Sequence, residues 1–152
     1  MMVEPIDPIR QRVADSFAQM PLMATLGARL AAVQDGRVSI ELPFRREFTQ
    51  QHGYVHAGVV ASIADTAGGY AALTTMDEGA SVLAVEFKIN LLRPAEGVLF
   101  VANAEVVKSG RTLTVTEVDV YARDERGSEK LCARMQQTCI AVTDRPKAQS
   151  DG

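Results

Sequence analysis

Apolar residues recur along this chain in three rhythms, and the changes of rhythm divide it into elements. Ile9, Val13, Phe17 and Met20 return at three- and four-residue intervals, which predicts an amphipathic helix over residues 8–20. Asp7 suits its N-cap and Pro8 its first helical position. Pro21 is expected to end it, leaving Leu22–Leu26 as a short connector. Ala28–Val33 and Arg37–Leu42 flank Asp35-Gly36, and an Asp-Gly pair between two such runs predicts an antiparallel hairpin. Pro43–Gly53 is polar and irregular. From Gly53 to Met76 the chain reads GYVHAGVVASIADTAGGYAALTTM, a long helix stopped by Asp77-Glu78-Gly79. Alternation then predicts strands over Ser81–Leu92, Val98–Lys108, Arg111–Arg123 and Lys130–Val142. The predicted order is helix, hairpin, long helix and four strands in meander. This is an α+β chain in which a curved antiparallel sheet of about six strands wraps one long central helix. Nothing divides residues 1–143, which read as a single domain, and residues 144–152 read as a polar, flexible tail.

The long helix is unusual in its charge. A surface helix of that length would carry Lys, Glu and Arg on its wet face, yet Asp65 is its only fully charged residue. The helix is therefore expected to be buried almost all round. A carboxylate on a buried helix is costly unless paired or hydrogen-bonded, and such groups are more often kept for chemistry than for stability. At about 100° per residue, Gly58, Ala61, Ser62, Gly68, Gly69 and Ala72 share the side of Asp65, and Val59, Val60, Ile63, Tyr70 and Leu73 lie opposite. The bulky side is expected to pack into the sheet, and the small side to let another backbone or another subunit approach. A membrane span is not expected, because a central Asp costs roughly 2.5–3.5 kcal/mol on insertion scales and Ala, Gly and Thr offset little of it.

Composition narrows the possibilities. A chain of 152 residues suits one domain, and 47% apolar with 23% charged residues is ordinary for a folded soluble protein. A net charge of -3 without a long basic stretch argues against bulk attraction to nucleic acid. Cys132 and Cys139 are not spaced as a C-x-x-C pair and read as reduced thiols in a reducing compartment. The N-terminus is acidic and lacks an apolar signal core, so a cytoplasmic location is expected. His52 and His56 stand four apart with no third ligand at useful spacing, so no metal is expected.

If the long helix begins near His56, the backbone N–H groups of Ala57 and Gly58 are first-turn donors at the positive end of the helix dipole. Such donors can hold a carbonyl oxygen as it becomes negative during acyl transfer, and small side chains leave the approach open. Asp65 lies two to three turns further along, too far to serve the same reacting carbon. A second copy of the helix from a dimer mate would supply the missing half, so a composite site between subunits is expected. His56 reads equally as a catalytic side chain and as a structural cap; His52 reads as a loop histidine. No Ser-His-Asp or Cys-His arrangement can be argued from the sequence.

The stretch Q-x-x-G-x-V-H-A-G-V-V-A-S-I-A-D-T-A from Gln50, followed by V-E-F-K-I-N-L-L-R-P-A and V-V-K-S-G-R-T-L, resembles the hotdog-fold acyl-CoA thioesterases of the PaaI-like branch. The resemblance runs from roughly Gln50 to Val142. It implies a homodimer that pairs again into a homotetramer, active sites at the subunit interface, an acyl-CoA substrate, and no metal or other cofactor. It also implies that Asp65 is the nucleophile or the general base that activates water. The Ala57 amide, with Gly58 beside it, would form the oxyanion hole, and His56 would orient the thioester carbonyl or the turn. Gln50, where many relatives have Asn, would help place the water or thioester. Lys88, Arg93, Lys108 and Arg111 would meet CoA phosphates, with turn amides around Gly110, and Asn90 would touch the pantetheine arm.

Two departures stand out: His-Gly-Gly becomes His56-Ala57-Gly58, and Ala84 stands where some relatives carry Ser or Thr opposite the acid. A hotdog hydratase or dehydratase would need a His paired with an acid, and no His follows Asp65. A non-catalytic acyl-CoA sensor is the alternative from another class. Such sensors usually carry a DNA-binding segment or lose the acid, and neither feature is seen here. Phe48, Tyr54, Met76 and Phe87 would line an apolar or aryl pocket or belong to the core.

Overall fold

The computed structural model describes residues 7–143; the tail expected from residue 144 onward lies outside them. Helices α1 (Pro8–Ala18) and α2 (Pro21–Leu26) lead into strands β1 (Arg29–Gln34) and β2 (Arg37–Pro43). A short 3₁₀ turn, Arg46–Phe48, precedes the long helix α3 (Ala57–Thr74). Strands β3 (Ser81–Leu91), β4 (Leu99–Ser109), β5 (Leu113–Arg123) and β6 (Glu129–Val142) complete the chain. The six strands form one antiparallel sheet in the order β1-β2-β4-β5-β6-β3. Helix α3 packs against every one of them. This is the hotdog fold.

Local chemistry explains most boundaries. Asp7 Oδ1 accepts from the Ile9 N–H at 3.0 Å with Pro8 at the first helical position, and α1 seats Val13 in the core. Pro21, expected as a stop, opens α2 instead, so the expected connector Leu22–Leu26 is helical. Proline cannot extend a preceding helix but is pre-set for the first turn of the next. In the first hairpin, Gln34 faces Arg37 across Asp35-Gly36, and Gly36 takes the positive φ of 72° that such a turn needs.

The expected four-strand meander is corrected. Strands β4, β5 and β6 follow one another, but β3 pairs with β6 at the far edge, from Ser81 opposite Val142 to Leu91 opposite Ala133. The connection 92–98 crosses the ends of β6 and β5, where the Arg93 N–H bonds Cys132 O and the Val98 N–H bonds Arg123 O. Alternation marks a strand without naming its neighbour, and this Pro94-containing link is too long for a tight hairpin.

The core lies between α3 and the sheet, with Val60, Ile63, Ala67 and Tyr70 meeting Ile40, Phe100, Val118 and Met135. The small side of α3 is divided rather than uniformly open. Gly68 faces β5 and β6, and Ala72 is fully enclosed. Gly58, Ser62, Asp65 and Gly69 keep access to solvent. Beyond Gly69, residues 70–74 are buried. Cys132 and Cys139 are free and buried, and burial pushes both thiols up to about 11. Among the described residues no helix is long and apolar enough to cross a membrane.

Candidate active site

The turn before α3 is held by its own backbone. The His56 N–H bonds Phe48 O at 2.8 Å and the Val55 N–H bonds Ala95 O at 3.0 Å, while Gln50 Oε1 accepts from the His52 N–H at 2.6 Å. His56 is the N-cap: its backbone is extended, and its ring Nδ1 accepts from the Gly58 N–H at 2.8 Å. The expected pair of free amides is therefore reduced, because His56 occupies the Gly58 donor. The Ala57 N–H has no acceptor among the described residues. Gln50, Tyr54, His56, Ala57, Leu91 and Arg93 line a groove of about 590 Å³ at this turn.

Asp65 opens onto a different groove, of about 630 Å³, shared with Arg12, Tyr70, Ala84 and Gln137. Eight residues at 1.5 Å each place it about 12 Å further along the helix than Ala57. Its Oδ1 accepts from Gln137 Nε2. No hydrogen bond reaches its Oδ2 from the described residues. Burial pushes the Asp65 carboxyl above its ordinary value, and the Gln137 hydrogen bond acts against that rise. The result is a half-buried carboxylate with raised proton affinity, facing open space. It can take a proton from water or attack an acyl carbon directly. Of the β3 residues at this groove, Ala84 has no hydroxyl and Ser81, at the start of the strand, has one; the nearby Ser62 hydroxyl donates to Gly58 O at 2.7 Å.

The remaining expected site residues are dispersed. Phe87 and Ile89 register with Gln137 and Met135, which are buried toward α3. Lys88 and Asn90, one residue out of phase, therefore project from the outer face, away from Asp65. Arg93 lies in the turn groove and donates to Leu131 O at 3.0 Å. Lys108, Gly110 and Arg111 form the β4–β5 hairpin at the opposite end of α3, where Ser109 Oγ meets Thr75 Oγ1 at 3.1 Å. The Gly110 amide bonds Leu113 O at 2.8 Å and so is not free for a phosphate. Phe48 is core, and Phe87 is half exposed.

Gln137 escaped the reading of the sequence. Its signal is phase: on β6 it occupies the inward position between Met135 and Cys139, an apolar row interrupted by one amide.

Fold and site together define a class, the hotdog enzymes that cleave thioesters. The chain belongs to the thioesterase superfamily, whose family model matches residues 52–129. A thioesterase family protein from Silicibacter pomeroyi has a crystal structure that superposes with a TM-score of 0.87 at 51% identity, covering 90% of this chain and 99% of that one. Human acyl-coenzyme A thioesterase 13 is 34% identical over 92 residues, 60% of this chain and 65% of its own length. The PaaI protein of the E. coli phenylacetic acid degradation operon shares the fold, with a TM-score of 0.77 at 19% identity over 88% of this chain and 93% of its own.

Proposed function

We propose that the chain hydrolyses acyl-CoA thioesters in a site shared by two copies, in which Asp65 of one faces the Ala57 amide of the other. Strand β3 carries this reading. Its first residues, Ser81–Ala84, line the Asp65 groove, while Leu91 at its far end lines the turn groove. It is also a sheet edge whose side chains stay open, with Leu83 38%, Val85 58%, Phe87 47% and Leu91 56% exposed. A long apolar edge invites pairing with another chain. Antiparallel pairing with a two-fold copy sets the Leu91 end of one strand beside the Ser81 end of the other. The turn groove of one protomer then meets the Asp65 groove of its partner, twice per dimer.

In the composite site a water oxygen attacks the thioester carbon and passes its proton to Asp65 Oδ2. The carbonyl oxygen becomes an oxyanion held by the Ala57 N–H. The C–S bond then breaks, the proton moves from Asp65 to the departing CoA sulfur, and the carboxylic acid leaves. Were the carboxylate to attack first, the same oxygen would form an acyl anhydride that water opens. His56 holds the turn through Gly58, and Gln50 lines the groove where the thioester would lie. Of the candidate cations, Arg93 enters this site, and Lys88, Lys108 and Arg111 lie outside both grooves, where only outlying CoA phosphates would reach them. The names of relatives such as human acyl-coenzyme A thioesterase 13 support the substrate class. Two free thiols support a cytoplasmic setting, and a second pairing of dimers would complete a homotetramer.

The test is thiol release from short, medium and aryl acyl-CoAs, with wild type and Asp65→Asn. Turnover by wild type and its loss in the variant are expected. Tight CoA-ester binding without turnover of any substrate would favour the sensor.

A further inference from the structure

We infer that Gln137 is a positioning residue that fixes which oxygen of Asp65 acts on the substrate, and that Gly68 is glycine so that this contact can form. The inference deepens the proposed function and rests on Asp65 being the working carboxylate. Gln137 is 1% exposed on β6, and a buried amide is tolerated only when its donors and acceptor are matched. Here they are. Its Nε2 donates to Asp65 Oδ1 and approaches the Asp65 carbonyl at 3.3 Å, while its Oε1 accepts from the buried Thr116 Oγ1 at 3.3 Å. Thr116 sits on the neighbouring strand β5, opposite Gln137 in register.

This arrangement has a directional consequence. The Asp65 carboxylate and main-chain carbonyl only accept, so they take the NH₂ end of the Gln137 amide, and the Thr116 hydroxyl donates to its oxygen end. An NH₂ group only donates, so Oδ1 is committed as an acceptor. Oδ2, to which no described residue hydrogen-bonds, is the oxygen left open for a proton or a new bond. Catalysis by a carboxylate needs one oxygen aimed at the reacting atoms, and Gln137 sets that aim.

Gly68, nearly one turn beyond Asp65, supplies an independent observation. A glycine inside a helix is disfavoured relative to alanine. A Cβ at this position would fall inside contact distance of Gln137 Oε1, 2.9 Å from Thr116 Oγ1 and 3.1 Å from Val118 Cγ2. Its neighbour Gly69 has nothing within 4 Å of such a Cβ. Gly68 is thus open where the Thr116–Gln137 pair passes the helix.

The charge environment leaves Gln137 as the main counterweight to burial. On β6 the other titratable group beside Asp65 is Cys139, whose thiol stays neutral. Arg12 from α1 and Tyr70 from α3 line the same groove, and the β3 residues lining it, Ser81–Ala84, carry no charge. Arg12 is engaged by the carbonyls of Met76, Asp77 and Ala80 at 3.1, 2.9 and 2.6 Å.

The experiment is the pH profile of kcat/KM for wild type, Gln137→Met, Gln137→Glu, Thr116→Val and Gly68→Ala, with Asp65→Asn alongside. Loss of the donor in Gln137→Met should move the acid limb up by about one pH unit or more and lower kcat about 10- to 100-fold, with KM little changed. Gln137→Glu should move the limb further, because two carboxyl groups then share one site. Thr116→Val and Gly68→Ala should shift it in the same direction. Where a Gln137 variant does not fold, ¹³C titration of the Asp65 carboxyl in wild type and Thr116→Val gives the same answer without activity. An unmoved acid limb in folded Gln137→Met, with Asp65→Asn inactive, would overturn this inference and leave the proposed function standing. An active Asp65→Asn would overturn both.

Discussion

Replacing Ala57 with proline separates the chemistry of the turn from its architecture. Ala57 opens α3, and its N–H precedes the first intrahelical bond and has no acceptor among the described residues. Proline removes that one hydrogen. His56 already has φ −60° and ψ 139°, the extended conformation a residue before proline prefers, and proline is favoured at the first helical position. The His56–Gly58 cap does not involve the Ala57 N–H. Stability should therefore hold or rise by about 0.4–1 kcal/mol through the restricted unfolded chain, a few degrees of Tm at most. Turnover should move the opposite way. Deleting one oxyanion donor costs about 10²–10³ in kcat, or about 2.7–4 kcal/mol of transition-state stabilisation. The assay is thiol release at saturating acyl-CoA, paired with a thermal melt. Ala57→Gly, which keeps the N–H and restores the glycine of the family pattern, should stay within a few-fold of wild type. Ala57→Pro with near wild-type turnover, or Ala57→Gly falling as far as the proline variant, would refute the assignment of this amide.

Asp65→Asn should lower turnover by about 10²–10⁴ and yet raise the Tm at pH 7. The Asp65 pKa is raised on folding above its ordinary 3.8, so its favourable contribution exists below that ordinary value and is lost as pH rises through the folded one. The melting advantage of Asn should accordingly shrink on acidification, and a Tm lower than wild type at pH 7 would contradict the direction of the shift. Phe87→Lys places a charge on the half-exposed inner face of β3. Sedimentation should show monomer, and activity should fall with dimer content; a fully active monomer would exclude a shared site. Arg12→Met removes three bonds from a guanidinium to backbone carbonyls and should cost about 2 kcal/mol, with α1 amides exchanging before the sheet does.

Much of the fold was legible because local chemistry set it. The Asp7-Pro8 start, the Asp35-Gly36 turn and the uncharged stretch around Asp65 each act over a few residues. Strand order was not legible, since the alternation in Ser81–Leu92 looks the same whether β3 neighbours β4 or crosses to β6. Pro21 was ambiguous because proline both follows helices and begins them. The helical wheel put Gly68 and Ala72 on an open face, but it carries no information on how far a curved sheet wraps the helix. At the site, Asp65 and the His56 turn stood out by type and place, whereas the His56 ring bonding Gly58 is a matter of rotamer. Gln137 lies 72 residues from Asp65 in sequence, and only its inward phase on β6 hinted at a buried partner.

If neither protomer holds a complete site, two differently disabled chains must restore activity when they share a dimer. Asp65→Asn and Ala57→Pro chains, each inactive alone, are mixed and allowed to exchange subunits. In a mixed dimer, the intact Asp65 of one chain meets the intact turn of the other, forming one working site of two. Random assortment makes half the dimers mixed, so activity should return to about a quarter of wild type. No recovery in a mixture shown to contain mixed dimers would contradict the shared site.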